Sequence, residues 1–133
     1  RLCPQLTAVQ NVALVLPGDE IRYEQDIIHD FQRLGMNLSE LALPAGRLSG
    51  GQKRRTALLR ALWAPADTLL LDEPFTGMDP ETLGAAAALL AQKSAGRPVL
   101  LATHDREAIR LLGWPVIELD RLTTAAQGCC SER

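Results

Sequence analysis

Leu69-Leu70-Leu71-Asp72-Glu73-Pro74 is the stretch on which the fold turns. With Thr68 in front, the leucines make a short continuous apolar run, the pattern of a strand buried on both faces of a sheet. A parallel strand of that kind delivers its two carboxylates at its C-terminal end, where α/β sheets place their sites. Successive side chains on a strand point apart, so Asp72 and Glu73 can divide two tasks. Phosphoryl transfer needs such a division, with one carboxylate for the magnesium shell and another to orient or deprotonate water. Surface carboxylates also follow many strands, and the hexapeptide alone does not choose between these readings.

The surroundings support a parallel sheet. Pro80 to about Ser94 is helical and rich in alanine, and Val99-Leu100-Leu101-Ala102 is a second buried-strand candidate. Asp105 to Leu112 reads as a short helix and Pro115 to Leu119 as a third strand. Strand, helix, strand, helix, strand implies a parallel α/β sheet. Upstream, Ser49 to Ala64 reads as a helix with Ala57, Leu58, Ala61 and Leu62 on one side. Before it, Ile21, Ile27, Ile28, Phe31 and Leu34 recur at helical spacing, with Asp19 as a candidate cap and Gly35 as the stop. Pro44 and Gly46 mark a loop between these two helices. Thr7 to Leu16 reads as a short first helix ended by Pro17-Gly18. The residues after Asp120 read as a loose tail.

The chain has 133 residues, enough for one domain and too few for two. Its composition, 47% apolar and 23% charged, is that of a globular chain and excludes collagen-like, coiled-coil and disordered classes. Lys plus Arg number 14 and Asp plus Glu 16, so no global field draws it to nucleic acid or an anionic membrane. The longest run without strongly polar residues, Leu83 to Ala91, is far short of the ~20 residues a membrane span needs. No secretory signal pattern opens the chain. Arg1 rather than Met stands first, so a native start is not expected there. Cys3, Cys129 and Cys130 lack both disulfide parity and metal-ligand spacing, which fits a reducing, cytoplasmic compartment.

Leu48-Ser49-Gly50-Gly51-Gln52 opens the third helix. Two glycines allow close approach to the backbone, and the free amides of a helix start favour an anion. Ser49-x-x-Gln52 also fits a capping box, a purely local role. Thr76-Gly77-Met78-Asp79-Pro80 places Asp79 as N-cap and Pro80 at the first helical position. Thr103-His104-Asp105 ends the second strand, with Asp105 positioned to cap the next helix. His29 falls on the charged side of its helix and reads as surface. Lys53-Arg54-Arg55 reads as a solvated helix face, since neighbouring charges do not form a nucleic-acid stripe.

These blocks together resemble the ATP-binding cassette (ABC) ATPases. Leu48 to Gln52 matches that family's signature motif, and Gln52 to Leu62 resembles its signature helix. Leu69 to Glu73 resembles its Walker B motif followed by the catalytic glutamate. The resemblance implies that Asp72 holds the magnesium through water, and that Glu73 is the general base or positions the attacking water. It makes Thr76 to Pro80 the D-loop, which crosses the dimer interface and brings Asp79 to the opposite nucleotide site. It makes His104 the switch histidine, which contacts the γ-phosphate of ATP. The four blocks cover residues 48 to 105 in the family's order. Leu2 to Val12 resembles, more weakly, the segment after the Q-loop. The implied fold is α/β, a partial P-loop NTPase. It has a helical signature subdomain over 1–64, a parallel βαβαβ part of the RecA-like core over 65–120, and a loose tail over 121–133.

The family cradles phosphates with a Gly-x-x-x-x-Gly-Lys-Ser/Thr loop. No such pattern occurs in these residues, whose lysines are Lys53 and Lys93. In the family it lies upstream of the Q-loop, and the Q-loop glutamine would fall just before Arg1; Gln5 is in the wrong register. The family works as a head-to-tail dimer, each ATP lying between one subunit's Walker loop and the other's signature motif. The expectation is therefore a C-terminal portion of a transporter ATPase subunit that partners a second ABC subunit and transmembrane permease subunits at the cytoplasmic face of the membrane. ATP and Mg2+ are the implied cofactors, no nucleic acid is expected, and these residues alone should hydrolyse ATP negligibly. The family's Walker-loop strand lies between the strand ending at His104 and the last one, so exposed apolar sheet edges are expected here. Two other readings remain open: a non-transport ABC ATPase of DNA repair or translation, and a non-catalytic module that docks on a full subunit. The first is weakened because residues 7 to 47 carry no heptads.

Overall fold

The computed structural model describes residues 1–18 and 22–119. The elements in chain order are α1 (Ala8–Ala13), α2 (Glu24–Arg33), α3 (Leu38–Leu41), a 3-10 turn (Ala45–Arg47), α4 (Gly50–Trp63), β1 (Leu69–Asp72), α5 (Pro80–Lys93), β2 (Val99–Ala102) and α6 (Arg106–Leu112).

Helix starts follow local chemistry. Thr7, Asn37 and Ser49 each form a capping box with the residue three positions on, and Asp79 and Asp105 cap α5 and α6. α1 is shorter than its sequence pattern suggests, because residues 14–16 continue as tight turns. α2 starts at Glu24 with no side-chain cap; the expected cap Asp19 and Ile21 lie outside the described residues. Gly35 ends α2 with a φ of 71°, which a residue with a Cβ rarely adopts. The expected loop through Pro44 and Gly46 is more structured than its sequence suggests. It contains α3, held by Asn37 and Glu40, and the 3-10 turn.

β1 and β2 pair in parallel, Leu69 opposite Val99 and Asp72 opposite Ala102. α5 connects them, giving the expected βαβ unit. Two expectations for the sheet are corrected. β1 is buried on one face: Leu69 and Leu71 turn inward, while Leu70 is 74% exposed and Leu100 on β2 66% exposed. Pro115 to Leu119 forms no strand. A ladder needs a neighbour, and among the described residues no strand occupies the place between β2 and this segment. Val116 and Ile117 are consequently exposed. The parallel unit is βαβ rather than βαβαβ, and the tail over 121–133 lies outside the described residues.

One core runs from the first helices to the sheet, through Val12, Ile27, Phe31, Leu59, Leu69 and Leu89. Burying a side chain such as Phe31 or Leu59 contributes roughly 1.5–3 kcal/mol. Three polar side chains stitch the elements. Asn11 is fully buried, donating to the carbonyls of Cys3, Leu6 and Thr7 and accepting from the Cys3 amide at 2.7 Å. Asp30 on α2 accepts from the Trp63 indole at 2.9 Å and pairs with Lys93 of α5 at 2.7 Å, with the ammonium 3.7 Å from the centroid of a Trp63 ring. Arg97 donates to the carbonyls of Leu62, Ala64, Ala66 and Lys93, tying the ends of α4 and α5 to the approach to β1.

Candidate functional site

The C-terminal ends of β1 and β2 bring Asp72, Glu73, Thr103 and His104 to one edge. The Glu73 amide donates to the Ala102 carbonyl at 2.9 Å, extending the pairing one residue past the strands. The backbone then turns sharply. Glu73 has a φ of 45°, a left-handed conformation that costs a residue with a Cβ roughly 1–2 kcal/mol. The proline that comes next disfavours the right-handed helical alternative.

The Glu73 carboxylate is held on both oxygens. Oε1 accepts from the His104 amide at 3.0 Å and lies 2.6 Å from His104 Nδ1. Oε2 accepts from the hydroxyls of Thr76 and Thr103, each at 3.3 Å. Hydrogen bonding to His104 lowers the Glu73 carboxyl from its ordinary value, against the opposing effect of desolvation. The same bond and the carboxylate's charge raise the His104 imidazole above its ordinary value.

Asp72 is exposed beside this pair, and its side chain has no hydrogen-bond partner or ion pair among the described residues. No group of three or more potential ligands gathers there among those residues. A lone unengaged carboxylate fits a magnesium ion that takes its remaining ligands from water and phosphate oxygens, as Mg2+ commonly does. It does not fit an ion caged by protein.

Asp79 stands at the start of α5, where its carboxylate accepts from the Thr82 amide at 2.9 Å and the Thr82 hydroxyl at 2.7 Å. Those bonds lower its pKa. Ser49 accepts from the Gln52 amide, while Gln52 Oε1 accepts from the Ser49 amide and Gln52 Nε2 donates to Glu40 at 2.7 Å. The capping-box reading is thus realised. Nothing lies within 4 Å of a Cβ built on Gly50, so this turn is open to an approaching group. Leu48 is buried, so only its backbone could meet a ligand. Gly50, Lys53 and Arg54 face Asp72, Glu73 and Pro74 across a cleft of about 580 Å3.

Sequence reasoning missed three participants. Thr76 and Thr103 hold Glu73, and the only sequence signal was their place beside Glu73 and His104. In the sequence Arg54 reads as a solvated charge. It is exposed, yet it donates to the Thr76 carbonyl at 2.5 Å, while Lys53 donates to Gly46 and Arg55 to Leu34. His29 is exposed, as read.

This parallel α/β fold presents its carboxylates and histidine beyond the strand ends, where such folds place their ligand sites. The family model described as "ABC transporter" matches residues 1–76. Over 130 residues the chain is 36% identical to the methionine import ATP-binding protein MetN of Brucella abortus (strain 2308), covering 92% of this chain and 34% of that protein. It is 39% identical over 119 residues to the thiamine import ATP-binding protein ThiQ of Cereibacter sphaeroides, covering 83% and 49%. Its structure is similar to the dimeric structure of MJ0796, a bacterial ABC transporter cassette. The TM-score is 0.69 and the identity 26%, over 84% of this chain and 51% of that one. A second MJ0796 structure, in a post-hydrolysis state bound to ADP and Pi, matches equally. The chain belongs to the ABC transporter ATP-binding family, and its fold is a partial P-loop NTPase fold. It spans about a third to a half of the length of these relatives.

Proposed function

We propose that these residues form the signature and Walker B portion of an ATPase that powers transport across a membrane. The observation that carries this is the convergence of Asp72, Glu73 and His104 beyond β1 and β2, in a chain whose glycine-rich turn caps α4. In this reading Asp72 holds the water shell of a magnesium ion on the nucleotide, which neutralises phosphate charge. Glu73 orients the attacking water. A carboxylate clamped by His104 and two threonine hydroxyls is a weak base, which suits orientation better than full proton abstraction. His104 uses Nδ1 on Glu73, leaving Nε2 to meet a γ-phosphate oxygen.

The Ser49, Gly50, Gly51 and Gln52 turn, with the backbone of Leu48, serves the nucleotide of a second ABC subunit across a head-to-tail dimer. Asp79 lies in the loop that reaches that interface. The helical part over 1–64 receives the permease; an apolar groove lined by Val9, Ala13, Ile28, Leu38 and Leu41 between α1, α2 and α3 suits a docking helix. The RecA-like part spans 65–120, and the assembly sits on the cytoplasmic face of the membrane. No described helix is long and apolar enough to cross it.

The test is ATP turnover. The chain by itself is expected to show negligible turnover, having no Gly-x-x-x-x-Gly-Lys loop. In a cassette dimer that carries these residues, Glu73→Gln should abolish hydrolysis while ATP binding persists. Undiminished turnover in that variant would sink the assignment.

A further inference from the structure

We propose that Arg54 is a positioning residue, which holds the Thr76 turn so that its hydroxyl fixes the Glu73 carboxylate. Its importance for turnover rests on the role given to Glu73 above; the coupling itself does not.

The segment from Glu73 to Asp79 is pinned at both ends and at Phe75, with Thr76 and Gly77 exposed in between. Glu73 is held by Ala102 and His104, Phe75 is buried in the core, and Asp79 caps α5. Between them one of the turn's own two bonds is long. The Thr76 amide reaches the Glu73 carbonyl at 3.5 Å and the Met78 amide reaches Phe75 at 3.1 Å. Gly77 has a φ of 76°, so the chain reverses in a conformation that few residues would stabilise. Arg54 supplies the close contact, donating to the Thr76 carbonyl. A Cβ on Gly77 would meet the same guanidinium at 3.6 Å, so the group lies against the turn itself. Thr76 in turn donates its hydroxyl to Glu73 Oε2.

The neighbouring basic residues do something else. Lys53 donates to Gly46 and Arg55 to Leu34, so the contact belongs to Arg54 rather than to the cluster. Arg54 sits one helical turn beyond Gly50, and the two line the same cleft opposite Asp72 and Glu73. A displacement at the open glycine turn of α4 is thereby passed through one guanidinium to the Thr76 turn and on to Glu73. In a head-to-tail dimer this connects a subunit's contact with one nucleotide to its own water-orienting carboxylate at the other.

The experiment is amide NMR of the full chain, without nucleotide, for Arg54→Met, Arg54→Lys and Thr76→Val. The reporter is the His104 amide, which donates to Glu73 Oε1 and lies far along the chain from both substitutions. Arg54→Met should shift the Thr76, Gly77 and His104 amides in the direction that Thr76→Val moves His104. Arg54→Lys should restore part of the wild-type position, and the double substitution should move His104 no further than either single one. The urea midpoint should stay unchanged, because Arg54 is exposed. A His104 amide that is unmoved in Arg54→Met while Thr76→Val moves it would overturn the proposal. So would shifts spread over the whole sheet with a lowered midpoint, which mark a merely structural role. In a turnover-competent cassette dimer, Arg54→Met should lower kcat roughly tenfold at unchanged KM. Activity retained in Glu73→Gln would remove the functional reading and leave the NMR coupling standing.

Discussion

Asp30 gives the sharpest test of how the helices are held to the sheet. Its side chain is 6% exposed and lies 2.7 Å from Lys93 Nζ, whose own side chain is 23% exposed. At an effective dielectric constant of about 20, a contact that short has a gross attraction of about 6 kcal/mol. Most of this is offset by stripping water from the carboxylate. What truncation removes is therefore larger than what the pair adds. Asp30→Ala leaves the Trp63 indole N–H without its acceptor and the ammonium without its partner. The expected loss is about 3–5 kcal/mol, the range for breaking one side of a buried pair. Asp30→Asn keeps an acceptor for Trp63 and should cost about 1–2 kcal/mol. Lys93→Met also removes the cation–π contact with Trp63, for a loss of about 2–3 kcal/mol. Asp30→Leu with Lys93→Met removes both charges, and should cost at least ~1 kcal/mol less than the sum of the single losses. Urea unfolding followed by far-UV circular dichroism reads this; tryptophan emission does not serve, since Trp63 is in the cluster. A loss below about 1 kcal/mol for Asp30→Ala, or strict additivity in the double variant, would refute the reasoning.

The Glu73–His104 pair should make stability depend on pH at both ends. The raised His104 value contributes stability that is complete below about 6.5 and fades as pH rises through its folded midpoint, and the lowered Glu73 value contributes stability that is complete above about 4.5 and fades as pH falls through its own. The pair therefore helps most between those values, and in Glu73→Gln the His104 midpoint, read from the imidazole proton resonances, should fall toward an ordinary histidine's. Asn11→Leu leaves the Cys3 amide and three carbonyls without their buried partner and should cost about 2–4 kcal/mol in the same urea assay, whereas a neutral result would show that the N-terminal turn is held otherwise. Leu70→Lys with Leu100→Glu should change monomer stability by less than ~0.5 kcal/mol yet lower self-association in sedimentation velocity, because both leucines lie on the uncovered sheet face.

The starts of α4, α5 and α6 are legible because capping is chemistry within a single turn of chain. Ser49 with Gln52, Asp79 with Pro80 and Asp105 all cap as their spacing says. α3 escaped although it carries the same signal in Asn37 and Glu40, because Leu38 and Leu41 are too few to show a period. The carboxylates at the end of β1 were legible as chemistry, and so was their neighbour His104 at the end of β2. The clamp on Glu73 was not. It depends on a left-handed Glu73, on the β1–β2 register, and on hydroxyls whose sequence positions say nothing of direction. Asp30 and Lys93, separated by two helices, a 3-10 turn and a strand, leave no trace of their pairing in the sequence, and Arg54 looks there like any other solvated charge.

The strands show where a sequence pattern stops being decisive. Leu69, Leu70 and Leu71 read alike, but in the fold Leu69 and Leu71 are core and Leu70 faces outward. An unbroken apolar run states that both faces suit burial; only the neighbours decide whether both are buried. The same logic governs Pro115 to Leu119. Val116 and Ile117 carry strand propensity, but a ladder needs an adjacent strand, and among the described residues none lies beside them. β1 and β2 form because α5 packs its buried Leu83, Leu89 and Leu90 into the core and so brings the two leucine runs side by side. The carboxylates then inherit their position from that packing. Shifting β2 by one residue against β1 would turn Leu101 outward and carry His104 away from Glu73, so the leucines that fix the register also set the geometry of the site.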